Sequence, residues 1–374
     1  MTTSDPLSIP SLSLISTFTS PKRDSILPHL HHNHHHHSTS IFDPSYLLSR
    51  TRWIRDILDP LIARQGPEAL SSSEILHLDD FLRTLLSADL PQADLRYSRL
   101  HLAVEAISGG ATRWPSGLVE RCDLLRESWE GRYGAPLKGW GTLLYEGDGA
   151  RLGGVCRPAD VTREHLLLRW LRQPDAKLNP AQSRRCGDLG FVPGDWWISP
   201  LFALRAGIID RTTLDGGIVA DSRGAYAIVM TDDDEIPDAI PYTFQYRTRN
   251  ADPGRYRLTS GAVDSHNPVR VLRCHTLHGF WRPRAGIRYD GLHEVSGWSI
   301  QGGPRSEDVT YIVRFRRLST ENDMSLVLCR PWSDEAEDYV EYKRIRREER
   351  MRQGLGAHVG RIDGAGEERL DDDG

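Results

Sequence analysis

The sequence predicts an α+β protein, an all-α N-terminal region followed by a β-rich domain closed as a barrel or sandwich. Three observations lead there. Apolar residues recur at three- and four-residue spacing between Tyr46 and about Gly131. After Cys186 the chain turns to short runs of Val, Ile, Tyr, Phe and Trp, separated by Gly, Pro and Asp. The length of 374 residues accommodates two ordinary domains or one with extensions.

Taken in order, residues 1–44 are rich in Ser, Pro and His and are expected to be disordered. They lack the basic start and apolar core of a secretory signal. The histidine run from His29 to His37 can hold divalent metal adventitiously, but a flexible tract has no fixed ligand geometry, so no metal or cofactor is expected. Residues 45–180 form the helical region. Leu47, Leu48, Trp53, Ile54, Ile57, Leu58 and Leu61 mark a first helix that Pro60 bends or ends. Ser71 and Glu74 have capping-box spacing ahead of Ile75, Leu78, Phe81, Leu82 and Leu85. A third helix is predicted over Leu95 to Ile107, stopped by Gly109-Gly110, and a fourth over Leu118 to Trp129. Together they make a small bundle or a lobe docked on the next domain. Val161 to Leu171 reads as one further helix.

Residues 181–335 carry the strand signals, at Ala225 to Met230, Val269 to Arg273, Leu292 to Trp298, Val309 to Leu318 and Ser325 to Leu328. So many short strands with few helices between them predict an antiparallel barrel or sandwich. Residues 336–374 comprise a charged, solvated helix, Tyr339 to Arg352, and a Gly- and Asp-rich tail.

The net charge is −5, yet it is unevenly spread. Between Arg247 and Arg317 there are thirteen Arg, no Lys and six acids, a local +7. The acids gather at Asp232 to Glu235, Asp334 to Glu341 and Glu367 to Asp373. An arginine-only basic segment suits phosphates and base edges, because the planar guanidinium presents paired donors. The five cysteines are widely spaced with no C-x-x-C pair, which argues against a zinc ribbon and against a disulfide framework. No run of eighteen apolar residues is long enough to cross a membrane.

Four blocks stand in order in the second half. They are Gly190-Phe191-Val192-Pro193-Gly194-Asp195-Trp196-Trp197 with Arg205-Ala206-Gly207; Gly216-Gly217-Ile218 with Arg223-Gly224-Ala225-Tyr226-Ala227-Ile228-Val229; Asn267-Pro268-Val269-Arg270-Val271-Leu272-Arg273; and Gly286-Ile287-Arg288-Tyr289-Asp290-Gly291-Leu292-His293-Glu294-Val295. This succession, over about 150 residues and some 40% of the chain, resembles the SRA-YDG family, with the outlook of a divergent, stand-alone member of fungal type. The resemblance implies a PUA-like β-barrel that binds double-stranded DNA and flips one modified cytosine into a pocket.

What the resemblance implies for single residues is uneven. Tyr289-Asp290-Gly291 is the family's naming triplet, read as structural, with Gly291 permitting a sharp turn and Asp290 bonding nearby backbone. The pocket loop, usually Gly-Gly-Tyr-Glu-Asp-Asp, is here Thr231-Asp232-Asp233-Asp234-Glu235-Ile236-Pro237-Asp238, so one stacking aromatic is missing and either Asp234 or Asp238 would read the base amine. Tyr246 matches the second stacking residue, Arg247 replaces the Thr after it, and Thr248-Arg249-Asn250 replaces a glycine-rich loop. Leu214 would be an apolar wedge, and Arg255 or Arg257 would fill the gap left by the base. One of Arg270 and Arg273 can meet phosphate.

No enzyme motif is found. His275, His278 and His293 do not share ligand spacing with Asp290 or Glu294, and Asp232-Asp233-Asp234 lacks the glycine and distal Glu of a calcium loop. The reading is a non-catalytic, nuclear reader of methylated or hemimethylated cytosine, with chromatin proteins as further partners through the helical region. The rival is a scaffold or protein-interaction module that keeps the fold and has lost base recognition.

Overall fold

The computed structural model describes residues 42–134, 140, 143–147, 150–250, 252, 254–259, 267–302, 309–321 and 323–354. The histidine run and the acidic tail beyond residue 354 lie outside the described residues. The fold is α+β: a helical region, then a curled, mixed sheet forming a half-barrel.

The helical region opens with α1 (Pro44–Arg52), capped by Asp43, which accepts from the Ser45 amide. Pro60 does not end this helix. A π-helical segment, Trp53–Leu58, leads straight into α2 (Asp59–Gln65), and Pro60 falls in the first turn of α2, where its missing N–H is tolerated. α3 (Ser72–Ser87) has the capping box its sequence announces: the Ser71 hydroxyl accepts from the Glu74 amide at 3.2 Å, and Glu74 accepts from the Ser71 amide at 2.8 Å. Ser71→Ala should therefore cost about 1 kcal/mol of stability, read as a lowered thermal midpoint; an unchanged midpoint would mean that the cap contributes nothing here. The single helix expected over residues 95–107 is two, α4 (Gln92–Ser98) and α5 (Leu100–Ser108). They part at Arg99, which sits in the left-handed region with φ 53°. That conformation is costly for a side-chain-bearing residue, and the contacts Arg99 makes across the molecule hold it. α6 (Ser116–Tyr133) completes the lobe, whose core includes Leu47, Ile54, Leu78, Leu82, Leu95, Leu100 and Leu125.

After α7 (Arg163–Trp170) and the single turn α8 (Pro180–Ser183) come β1 (Trp196–Trp197), α9 (Pro200–Ala206), β2 (Gly217–Ala220), β3 (Ala225–Met230), β4 (Glu235–Pro237), β5 (Thr243–Arg247), α10 (Arg255–Leu258), β6 (Val269–Cys274), β7 (Ile287–Gly302) and β8 (Val309–Arg317). The strand order is β2-β3-β6-β7-β8-β5-β4, with β1 paired to β7. The sheet is mixed and not antiparallel throughout, because β3 and β6 run parallel. Successive residues of β3 feed two cores: Ala227 and Val229 pack toward α7 and α9, while Ile228 and Met230 line the inner face with Phe244, Tyr246, Val271, Val313 and Phe315. A strand covered on both faces reads as a continuous apolar run, as this one does.

Three expectations need correction here. Residues 325–328 belong to a short helix, α11 (Met324–Leu328): Asp323 caps it, and Met324 and Val327, three apart, turn inward. Gly291 makes no turn between elements. It lies within β7 at φ 100°, where the β6–β7 register slips so that Val271 faces Gly291 and Leu272 faces Tyr289. Asp290 is the extra residue of this bulge. The last helix, α12 (Ser333–Arg352), is no solvated appendage, since Asp334, Glu335, Asp338, Tyr342 and Arg346 are buried along it. Its acidic first turns meet arginines of the helical lobe and of the loop before the sheet. Arg52 grips Asp334 with two bonds of 2.7 and 2.8 Å, Arg151 reaches Asp334 at 2.8 Å and Asp338 at 2.6 Å, and Arg99 binds Glu337, Asp338 and the Asp334 carbonyl.

Candidate nucleic-acid interface

The inner face of the sheet ends in a cluster built from three loops. The turn after β3 closes on itself: the Asp234 amide donates to the Thr231 carbonyl, and the Thr231 amide donates to the Asp234 carboxylate at 3.0 Å. β4 then pairs with β5, setting Glu235 opposite Tyr246. Past β5, Arg249 folds back over this turn. Its Nε and one terminal nitrogen donate to the two Asp234 oxygens at 3.0 and 2.9 Å, that same nitrogen donates to the Thr231 hydroxyl at 2.5 Å, and the other binds the Asp215 carbonyl.

The third wall is Gly216-Gly217. Both have positive φ, 90° and 120°. A β-carbon on Gly216 would lie 2.5 Å from the Arg249 guanidinium, and one on Gly217 would lie 2.7 Å from the Asp252 carboxylate. Only glycine permits this approach. Asp252 accepts from the Ile218 amide at 2.6 Å and the Gly254 amide at 2.7 Å, tying β2 to the start of α10.

Tyr246 is fully buried beside this cluster, and among the described residues its hydroxyl has no hydrogen-bond partner. Burial, reinforced by the negative charges of Asp234 and Asp252, drives its ionisation far above the usual range, so it is a neutral phenol. Burial also holds the Asp234 carboxyl above the ordinary range in spite of the bonds from Arg249 and Thr231. The cluster thus offers a carboxylate and a hydroxyl under a guanidinium, a set that can recognise an amine-bearing planar group.

Not every residue expected at the site joins it. Tyr246 and Asp234 come together there. Asp238 does not: it is exposed on the β4–β5 connection and accepts from the Thr243 hydroxyl at 2.8 Å. Leu214 is 2% exposed in the core against α7 and α9, so it projects no wedge. Arg247 is exposed and leans on the Asp233 carbonyl at 3.4 Å. Arg255 is half-buried, stacks over Tyr256 at 4.4 Å and donates to the Asp252 carbonyl at 3.1 Å, while Arg257 is exposed on the same turn. No ring stacks on Tyr246 among the described residues; Phe244, two positions earlier, pairs instead with Phe315 at 5.3 Å. Neither Arg270 nor Arg273 meets solvent. Arg270 donates to the Ser183, Arg185 and Gly187 carbonyls.

Arg273 belongs to a buried charge network under the site. It donates to Glu235 at 2.7 and 3.0 Å and to Asp290, and it lies 4.7 Å over the Phe244 ring. Arg288 grips Asp290 at 2.6 and 3.1 Å. The Asp290 side chain therefore bonds to arginines, not to nearby backbone, and the bulge is what aims it inward. Burial would raise its ionisation, but Arg288 and Arg273 outweigh that and lower it. His293, beside Phe244, is pushed down to about 3 by burial and by Arg273, and is neutral. A shallow trough on α7, lined by Arg157, His165, Leu168 and Arg172 among others, shares no residue with this cluster.

Arg249, Thr231, Asp252 and Glu235 are the site residues that sequence reasoning did not single out. The available signal was the Gly216-Gly217 pair, which marks a close approach by another segment.

The chain is similar to several solved structures. One is the SUVH5 SRA complex with hemimethylated CG DNA, at 19% identity, covering 37% of this chain and 96% of that one, with a TM-score of 0.31. Another is KRYPTONITE in complex with mCHH DNA, H3(1-15) peptide and SAH, at 21% identity, 44% and 40% coverage and a TM-score of 0.35. A third is the modification-dependent TagI restriction endonuclease, at 20% identity, 36% and 53% coverage and a TM-score of 0.30, so the chain spans about half of that enzyme's length. No protein-family model matches the chain, and no curated protein does.

Proposed function

We propose that this chain is a DNA-binding module that recognises modified cytosine, methylated or hemimethylated, by drawing the base out of the duplex, that it acts in the nucleus, and that it performs no chemistry on the base. The observation that carries this reading is the juxtaposition of the Asp234 carboxylate with the buried, unpartnered Tyr246 hydroxyl at the end of the inner face, behind two glycines. Asp234 accepts from the exocyclic amine, the donor that marks cytosine. Arg247, Arg255 and Arg257, at the ends of β5 and on α10, supply charge for the phosphates. The four sequence blocks support the same reading, since each contributes a strand or strands to one sheet: β1, β2 with β3, β6, and β7.

Flipping a base costs a few kcal/mol of stacking and pairing, so a working pocket must discriminate to be worth that cost. In binding to one duplex with unmodified, hemimethylated, fully methylated or hydroxymethylated CpG at two salt concentrations, a preference of about tenfold for a modified strand is expected, equivalent to about 1.4 kcal/mol. Asp234→Asn should abolish the preference and leave the salt-dependent component. Binding that ignores modification and collapses with salt would refute base recognition. Cleavage of the modified duplex would refute the non-catalytic reading.

A second reading is favoured by two specific observations. Leu214 is buried where a wedge was expected, and Asp234 is already paired. On that reading the sheet is a scaffold whose partners dock through the helical region, and the same binding panel would show no preference.

A further inference from the structure

The Arg249 guanidinium occupies the Asp234 carboxylate in the way a base amine would. It is planar, it carries paired N–H donors, and it reaches both carboxylate oxygens as well as the Thr231 hydroxyl. The space admits one such group: the Gly216 α-carbon is so close that even a methyl there would meet the guanidinium at 2.5 Å. Behind it the Tyr246 hydroxyl is buried and, among the described residues, has no partner of its own. Arg249 is not locked in as Arg273 is. Its side chain is 36% exposed while that of Asp234 is 8% exposed, and among the described residues its other terminal nitrogen is held by the Asp215 carbonyl at the surface. It therefore has a path into solvent, where it would lie beside the exposed Arg247 and can meet a phosphate.

We propose that Arg249 is the gate of this pocket, a built-in stand-in for the base, so that an extrahelical base enters only by displacing it and recovers that cost only by bringing its own exocyclic amine to Asp234. This rests on the base-recognition reading above. Two consequences follow. The closed pocket taxes every base alike, since each must first break the Arg249–Asp234 pair. Only an amine-bearing base recovers that loss, because one without an amine, such as thymine, leaves the carboxylate buried and unpaired. The gate thus lowers affinity for every base by the same factor, while the choice of cytosine over thymine is set by Asp234 itself.

The test uses the full chain and three forms of one labelled duplex, with hemimethylated, unmodified or thymine-substituted CpG at the target position. Arg249→Gln leaves an amide that can still donate to Asp234, and Arg249→Met leaves none; thermal melting identifies which variants fold, and the Gln variant decides if the Met variant does not. The expected result is at least fivefold tighter binding of the hemimethylated duplex by the variant, with the cytosine-over-thymine ratio unchanged. Equal or weaker binding, with the wild type still preferring the modified strand, would overturn the gate and leave base recognition standing. No preference for modification in wild type or variants would overturn both.

Discussion

Asp290→Asn is expected to destabilise the protein by about 3–5 kcal/mol, the usual loss when one partner of a buried ion pair is removed and the other stays. Asp290 is fully buried and is shared by Arg273 and Arg288, both of them essentially without solvent contact. Glu235 would remain for Arg273, but its one engaged oxygen already takes two bonds from that arginine, so it cannot neutralise both cations. Arg288 would keep the Trp281 and Arg330 carbonyls and the Asn amide oxygen, none of which carries a charge. Chemical denaturation followed on the tryptophans of the β-domain reads the effect, and a loss below about 1 kcal/mol would show that the network is solvated and not structural. The pH dependence has a definite sign. Because the arginines lower the folded-state ionisation of Asp290 below its unfolded value, its contribution is present in full above the unfolded value, about 3.9, and is lost as pH falls through the lower folded value. Wild type and variant should accordingly differ at neutral pH and converge in acid.

The second large effect concerns the joint between the lobes. Asp334→Ala would strip Arg52 and Arg151 of a shared carboxylate that is 4% exposed. Those arginines are 24% and 29% exposed and can recover part of their hydration, so the cost falls below the fully buried case, at about 2–3 kcal/mol. Its expression is separation of two units that otherwise melt together: thermal unfolding should split into two transitions, and proteases should cut between α6 and α7. A single unshifted transition would show that the lobes are held by apolar contact alone. Asp334 also ionises below the ordinary range, burial being outweighed by Arg52, Arg151 and Arg99, so this joint too holds at neutral pH and weakens as pH falls through that lowered value.

These two predictions mark where sequence reasoning ran out. The capping box at Ser71 and Glu74, the apolar periods of the helices and the runs at Ala225 to Met230 and Val269 to Arg273 are local signals, and the structure contains what they announce. Arg99 is the contrary case. Nothing in residues 95–107 marks a break, because the break is held by Asp334, Glu337 and Asp338 more than two hundred residues away. Residues 325–328 misled in the same way: four residues are too few for period two and period three to be told apart.

The sequence by itself determined the two-part α+β organisation and the order of the blocks, and it left Asp234 and Asp238 as alternatives near Tyr246. These depend on residue types at short spacing, which the chain carries wherever it folds. Tertiary structure alone decided that Arg249 covers Asp234, that Leu214 turns inward, and that Arg270 and Arg273 serve the interior and not phosphate. An arginine reads alike in sequence whether it faces solvent, a carbonyl or a buried carboxylate. Which of these it meets depends on the strand register, the Asp290 bulge and the loops that two glycines bring into contact, and those are long-range packing outcomes.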